Sequence, residues 1–197
     1  MMNRLYAVLY PLVWIFMRVF HPWKAEGREN VPEGAVVMCG NHTTLGDPVY
    51  VVCALGWKCQ TRVIAKEELM KIPVLGFLLK KAGIIGIKRG KADVAAIKEA
   101  MRVLRNGEKL LLFPEGTRVK EGESAAAHTG AAMFATRTDT MLLPIYISPK
   151  KKLFRKTRVV FGKPYKATYE GRKASPEDYQ RIADDLMNRI RQLGGAQ

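Results

Sequence analysis

Ala35-Val36-Val37-Met38-Cys39 is an unbroken apolar run that passes through Gly40 into Asn41-His42-Thr43-Thr44-Leu45-Gly46-Asp47-Pro48, and this junction limits what the chain can fold into. A run that short, bounded by glycine and a polar turn, reads as a buried strand; a buried helix would need ten or more residues. Asp47-Pro48 reads as an N-cap followed by proline at the first helical position, so a helix begins at once. Strand, loop and helix in succession are the unit of α/β folds, which build their sites at strand ends. His42 and Asp47 stand five positions apart, and on one helix their side chains would diverge by about 140°. They meet only across a turn, which Gly46 permits. Folded back, the Asp47 carboxylate would accept one imidazole N–H of His42, fix the tautomer and leave the other nitrogen to take a proton from a hydroxyl. Read separately, the same residues are a hydrogen-bonded structural histidine and a helix cap.

The α/β pattern continues downstream. Residues 109–113 form a second buried strand, and Pro114-Glu115-Gly116-Thr117-Arg118 leaves it, so this loop and the His42 loop can share one rim. Residues 62–65, 84–87, 141–147 and 158–161 read as further strands. Val94, Ile97, Met101 and Leu104 mark one helix face, ended by Gly107. Ser175 caps a second helix that Pro176 starts, with Tyr179, Ile182, Leu186, Ile190 and Leu193 along one face before Gly194-Gly195. These stripes read as core packing. A chain of 197 residues with 48% hydrophobic composition can bury one sizeable core. No internal repeat or long linker appears. The expected architecture is therefore a single α/β domain over residues 25–197, with a mixed central sheet flanked by helices.

Residues 1–24 read differently. Residues 5–17 are apolar and aromatic apart from Pro11, with Arg18 at the end and Trp14 and Trp23 nearby. Thirteen residues are too few to span a bilayer, which takes about 20, and tryptophans favour the headgroup boundary. This predicts a retained, membrane-associating helix. Charge points the same way: 33 Lys and Arg against 18 Asp and Glu give +15 and imply a polyanionic partner. Nucleic-acid signatures are absent, so no nucleic-acid partner is expected. An anionic membrane surface fits better, because Lys150-Lys151-Lys152-Leu153-Phe154-Arg155-Lys156-Thr157-Arg158 mixes six cations with two apolar residues, as an interfacial loop would. An ordinary solvated hairpin loop is the alternative. Ile72-Pro73-Val74-Leu75-Gly76-Phe77-Leu78-Leu79-Lys80-Lys81 reads as an acyl-chain wall, a segment dipping into lipid, or a core helix. Three cysteines without motif spacing fit a reducing compartment, and His21 reads as structural.

Four blocks together carry a family resemblance. Asn41 to Asp47 supplies N-H-x-x-x-x-D, and Gly83-Ile84-Ile85-Gly86-Ile87-Lys88-Arg89 supplies G-x-x-x-x-x-R. Phe113-Pro114-Glu115-Gly116-Thr117-Arg118 supplies F-P-E-G-T-R, and Leu142-Leu143-Pro144-Ile145-Tyr146-Ile147 supplies an apolar segment with a proline. In this the chain resembles the glycerolipid acyltransferases, in particular the 1-acylglycerol-3-phosphate acyltransferases. The resemblance implies transfer of a fatty acyl group from acyl-CoA or acyl-carrier protein, as co-substrate, to 1-acylglycerol-3-phosphate, forming phosphatidic acid, at the cytoplasmic face of the cell membrane. No cofactor or metal is implied, since a thioester is already activated. His42 would be the general base and Asp47 its orienting partner, with direct transfer and no covalent enzyme intermediate. Asn41, Arg89, Glu115, Gly116, Thr117 and Arg118 would bind the acceptor. The two guanidinium forks match phosphate oxygens, while Glu115 would position Arg89, Arg118 or a glycerol hydroxyl.

One departure stands out. Ala126-Ala127-His128-Thr129-Gly130 places a histidine where the resemblance calls for lysine, so His128 would assist a phosphate only as a cation or a neutral donor. Two other readings stay open. The acceptor could be glycerol-3-phosphate, which the short chain disfavours, or another lysophospholipid; or the chain could be an inactive basic membrane-binding module, against which the intact motif residues argue.

Overall fold

A computed structural model describes residues 4–88, 93–115 and 129–195, with side chains from residue 7 onward. In chain order the elements are helix α1 (Arg4–Phe20), strand β1 (Trp23–Glu26), β2 (Val36–Gly40), α2 (Asp47–Leu55), β3 (Thr61–Lys66), α3 (Leu75–Lys81), β4 (Ile85–Ile87), α4 (Val94–Arg105), β5 (Lys109–Leu112), α5 (Gly130–Thr138), β6 (Met141–Ile147), β7 (Thr157–Phe161) and α6 (Pro176–Gly195). The strands form one sheet in the order β1-β7-β6-β2-β5-β3-β4. All neighbours run parallel except β6 and β7, so the expected single α/β domain with a mixed sheet is what the chain adopts.

Helices cover both faces, which is why the central strands β2 and β6 are apolar without interruption. Every residue of β2 is buried. Val37 and Cys39 point into a core shared with α4, α5 and α6, including Ala100, Phe134, Leu186 and Ile190. Val36 and Met38 point the other way, toward Tyr50, Val51 and Leu55 of α2, Trp23 and Met17. Pro144 in β6 has no N–H to give the ladder, while its carbonyl accepts Gly162 N–H at 2.9 Å.

Several local expectations change. The buried stripe of α4 is Ala96, Ala100, Val103 and Leu104, whereas Val94 is 56% exposed. Alanines let the helix approach the sheet closely, and periodicity of large residues alone overlooks them. Asp93, before α4, caps it through Ala96 N–H at 3.1 Å. Ser175 and Asp178 cap α6 reciprocally, but the helix runs on through Gly194 and Gly195.

The N-terminal segment is a helix that serves the core on one side only. Tyr10 and Met17, seven positions apart, are buried, and Tyr10 reaches Cys53 O in α2. Leu12, Ile15, Phe16 and Val19 are all more than half exposed. Trp23 is no boundary anchor: it opens β1, is buried, and meets Trp14 edge-on at 5.8 Å. No described helix is long and apolar enough to cross a membrane. The core-helix reading of residues 72–81 fails, since Ile72, Val74, Leu75 and Phe77 are exposed and Gly76 is the buried residue of α3.

Candidate active site

The adjacent strands β6, β2 and β5 are parallel, so their C-terminal ends lie together along one edge of the sheet. From β2 the chain enters the His42 loop, from β5 it enters Phe113-Pro114-Glu115, and from β6 it enters the turn that carries Lys151. A clip joins two of these ends. The Asn41 amide donates to Ile147 O at 2.9 Å and its carbonyl accepts Ile147 N–H at 2.8 Å, copying the pattern of a backbone peptide. That leaves the Asn41 amide one N–H for any other partner.

The Asp47 carboxylate organises the loop. Its Oδ2 accepts Thr43 N–H at 2.6 Å, Thr44 N–H at 2.7 Å and His42 Nδ1 at 3.0 Å. Its Oδ1 accepts the Thr44 hydroxyl at 3.1 Å and faces Lys151 Nζ at 2.7 Å. Asp47 is therefore no N-cap: its side chain gathers donors from the preceding loop, Gly46 holds the cap position, and Asp47 is the first helical residue. Nor does the turn depend on glycine. Gly46 has ordinary right-handed angles (φ −77°, ψ −13°), and a Cβ there would meet nothing nearer than 3.7 Å. The carboxylate bends the loop. Although its burial opposes ionisation, the bonds from His42 and Lys151, the Lys151 charge and the Thr44 N–H together hold Asp47 below the usual carboxylate range.

A carboxylate that stays ionised can only accept, so the Nδ1 that faces Asp47 carries the imidazole proton. Nε2 has no hydrogen-bond partner among the described residues and is the nitrogen available for a proton. Phe113 stacks on the His42 ring, with centroids 4.5 Å apart and planes at 28°. Glu115 Oε2 accepts His42 N–H at 2.8 Å, tying the loop after β5 to the loop after β2. Burial pushes the Glu115 carboxyl above its usual range, partly offset by that bond and by the field of Arg191. Cys39 and Cys53 lie inside the core, where burial drives both thiols up and away from nucleophilic thiolate.

The structure thus brings together His42, Asp47, Asn41 and Glu115. Arg89, Gly116, Thr117, Arg118 and His128 lie outside the described residues. Two participants were not singled out from sequence. Phe113 reads in sequence as the end of a strand, although its place at the head of the F-P-E-G-T-R block is a signal. Lys151 was grouped with the interfacial cations, yet its side chain is only 7% exposed and it also donates to Thr43 Oγ1 at 2.7 Å. Arg158 leaves that loop as well: it belongs to β7 and binds Glu26 of β1 at 2.9 Å. Nothing in a run of lysines marks the one that turns inward.

A histidine held by a buried aspartate at the C-terminal edge of a parallel sheet, with one nitrogen open, has the geometry of a proton acceptor. The acyltransferase family profile matches residues 23–148, well over half of the chain, and the chain belongs to that family. It is 32% identical over 139 residues to a 1-acyl-sn-glycerol-3-phosphate acyltransferase of Borreliella burgdorferi, covering 69% of this chain and 54% of that protein. It is 28% identical over 177 residues to an enzyme of the same name from Bacillus subtilis, covering 86% and 87%. The chain spans about half the length, or less, of the first curated relatives it matches. In fold it is similar to the crystal structure of the 1-acyl-sn-glycerophosphate (LPA) acyltransferase PlsC from Thermotoga maritima, with a TM-score of 0.71 and 23% identity over 98% of this chain and 82% of that one.

The lowered Asp47 gives a pH signature. A carboxyl whose folded pKa lies below its unfolded value near 3.9 contributes stability that is fully present above about pH 5 and lost as pH falls through the folded value. In denaturant titrations, the stability gap between wild type and Asp47→Asn is expected to narrow as pH falls below about 4. A gap independent of pH down to 3 would contradict the ionised, five-donor arrangement.

Proposed function

We propose that the protein transfers a fatty acyl group from a thioester of coenzyme A or acyl-carrier protein to the free hydroxyl of 1-acylglycerol-3-phosphate, forming phosphatidic acid. The observation that carries this reading is the His42–Asp47 pair with its open Nε2. His42 Nε2 takes the hydroxyl proton, the acceptor oxygen attacks the thioester carbonyl, the C–S bond breaks, and His42 returns the proton to the leaving thiolate. Asp47 stabilises the imidazolium formed on the way. The inaccessible thiols of Cys39 and Cys53 support direct transfer. Arg89 and Arg118, with the backbone of Gly116 and Thr117, supply phosphate contacts in this reading. Glu115, through His42 N–H, ties the end of β5 to the loop that carries the base. Purified protein given lysophosphatidic acid with each donor separately should yield phosphatidic acid by mass spectrometry; no thioester-dependent product with either donor would refute the reading. His42→Ala is expected to lower turnover at least 10²-fold with acceptor binding retained, and Asp47→Asn comparably. Near-wild-type turnover in either variant would remove the pair from the mechanism.

The same reading places the enzyme on an anionic membrane surface, as a peripheral or monotopic protein of the cytoplasmic face. Two features support it. The outward face of α1 is apolar, and the β6–β7 loop adjoins its end, with Phe154 N–H donating to Phe20 O at 2.8 Å and the two rings 5.7 Å apart. Around Leu153 and Phe154 that loop exposes Lys150, Lys152, Arg155 and Lys156. The apolar and cationic parts have separable signatures. Changing Leu12, Ile15, Phe16 and Val19 to serine, which spares the buried Tyr10 and Met17, should weaken binding to neutral and anionic vesicles alike with little salt dependence. Changing Lys152, Arg155 and Lys156 to glutamine should weaken binding to anionic vesicles only, with the difference vanishing at high salt. Full co-sedimentation of the serine variant with neutral vesicles would contradict the anchor.

A further inference from the structure

Lys151 is the one residue of the basic loop whose side chain turns into the protein, and what it meets there is the carboxylate that holds the base. Its Nζ lies 2.7 Å from Asp47 Oδ1 and donates to Thr43 Oγ1 at 2.7 Å, with 7% of the side chain exposed. The backbone delivers it there by a fixed route. Asn41 clips Ile147 at the end of β6, Arg158 N–H binds Ser148 Oγ at 2.9 Å, and Lys151 N–H closes a turn on Pro149 O at 3.1 Å. The two Asp47 oxygens then divide their work: Oδ2 faces His42 and the loop amides, and Oδ1 faces the ammonium.

From this geometry we propose that Lys151 is a positioning residue for acyl transfer, which locks the Asp47 carboxylate and, by its charge on the far oxygen, offsets part of the field that this carboxylate exerts on the His42 ring. An unopposed carboxylate stabilises the imidazolium and holds the proton on the histidine. A cation on the far oxygen takes back part of that field. The charged groups around the His42 ring, among the described residues, are Asp47 at the start of α2, Glu115 after β5, Lys151 after β6, and Arg191 of α6 acting on Glu115. Phe113 covers one ring face and adds no charge. Of the two cations in this set, Lys151 is the one in contact with the carboxylate that orients the base.

The kinetic side of this inference rests on the acyl-transfer reading, so the test combines a readout that needs no substrate with one that does. In full-length protein with labelled histidine, the midpoint of the His42 imidazole titration followed by NMR is expected to rise by roughly one pH unit in Lys151→Met. It should return to the wild-type position in Lys151→Arg and stay there in Lys163→Met, which removes an exposed lysine elsewhere. With lysophosphatidic acid and acyl-CoA, the acidic limb of kcat/KM should move up by the same amount. At pH below both midpoints, kcat/KM should fall about tenfold, with the acceptor KM within about twofold. If Lys151→Met does not fold, Lys151→Gln, which keeps a donor toward Asp47 but loses the charge, carries the same titration. A folded, charge-removed variant whose His42 midpoint does not move overturns the proposal, whatever its melting temperature. A moved midpoint in a protein whose wild type does not acylate lysophosphatidic acid from acyl-CoA or from acyl-carrier protein upholds Lys151 and overturns the substrate reading instead.

Discussion

A carboxylate with no solvent exposure has to be solvated by the protein, and Asp47 obliges the surrounding chain to arrange itself accordingly. Its donors come from two loops: Thr43, Thr44 and His42 after β2, and Lys151 after β6. Removing water from an unpaired charge would cost several kcal/mol, so the loop is bent by this demand and not by a permissive glycine. The orientation of His42 follows, because the ring nitrogen that faces the carboxylate carries the proton. The parallel run of β6, β2 and β5 makes such a convergence possible, since it places three strand ends side by side.

The fold was legible where burial on both faces erased ambiguity. Residues 36–40, 110–112 and 141–147 are apolar throughout, and a run of that kind in a chain of this size reads as a central strand. It was less legible where small or exposed residues set the packing. In α4 the alanines face the sheet and Val94 faces out, the reverse of what side-chain size suggests. β1 was hidden inside a segment whose tryptophans suggested a membrane boundary; Trp23 buries itself between α1 and the sheet.

In the site, the His42–Asp47 pairing followed from spacing because five residues allow contact only across a turn. What escaped was every link made by backbone or by a residue far along the chain. Glu115 binds a main-chain N–H, Asn41 imitates a peptide, and Lys151 lies 104 positions from the carboxylate it meets. Sequence order carries no information about such closures; the sheet topology does. The β6–β7 loop shows the consequence most plainly, since its lysine at position 151 faces the site while its tip is hydrogen-bonded to the end of α1. A loop read as one surface is two.

Asp47 fixes His42 with its proton on Nδ1 and its Nε2 open. Long-range proton–nitrogen NMR of the His42 imidazole at neutral pH reads this directly. The account predicts an Nδ1–H tautomer with a downfield, hydrogen-bonded proton and an unprotonated Nε2. An Nε2–H tautomer, or a freely exchanging mixture of the two, would contradict it.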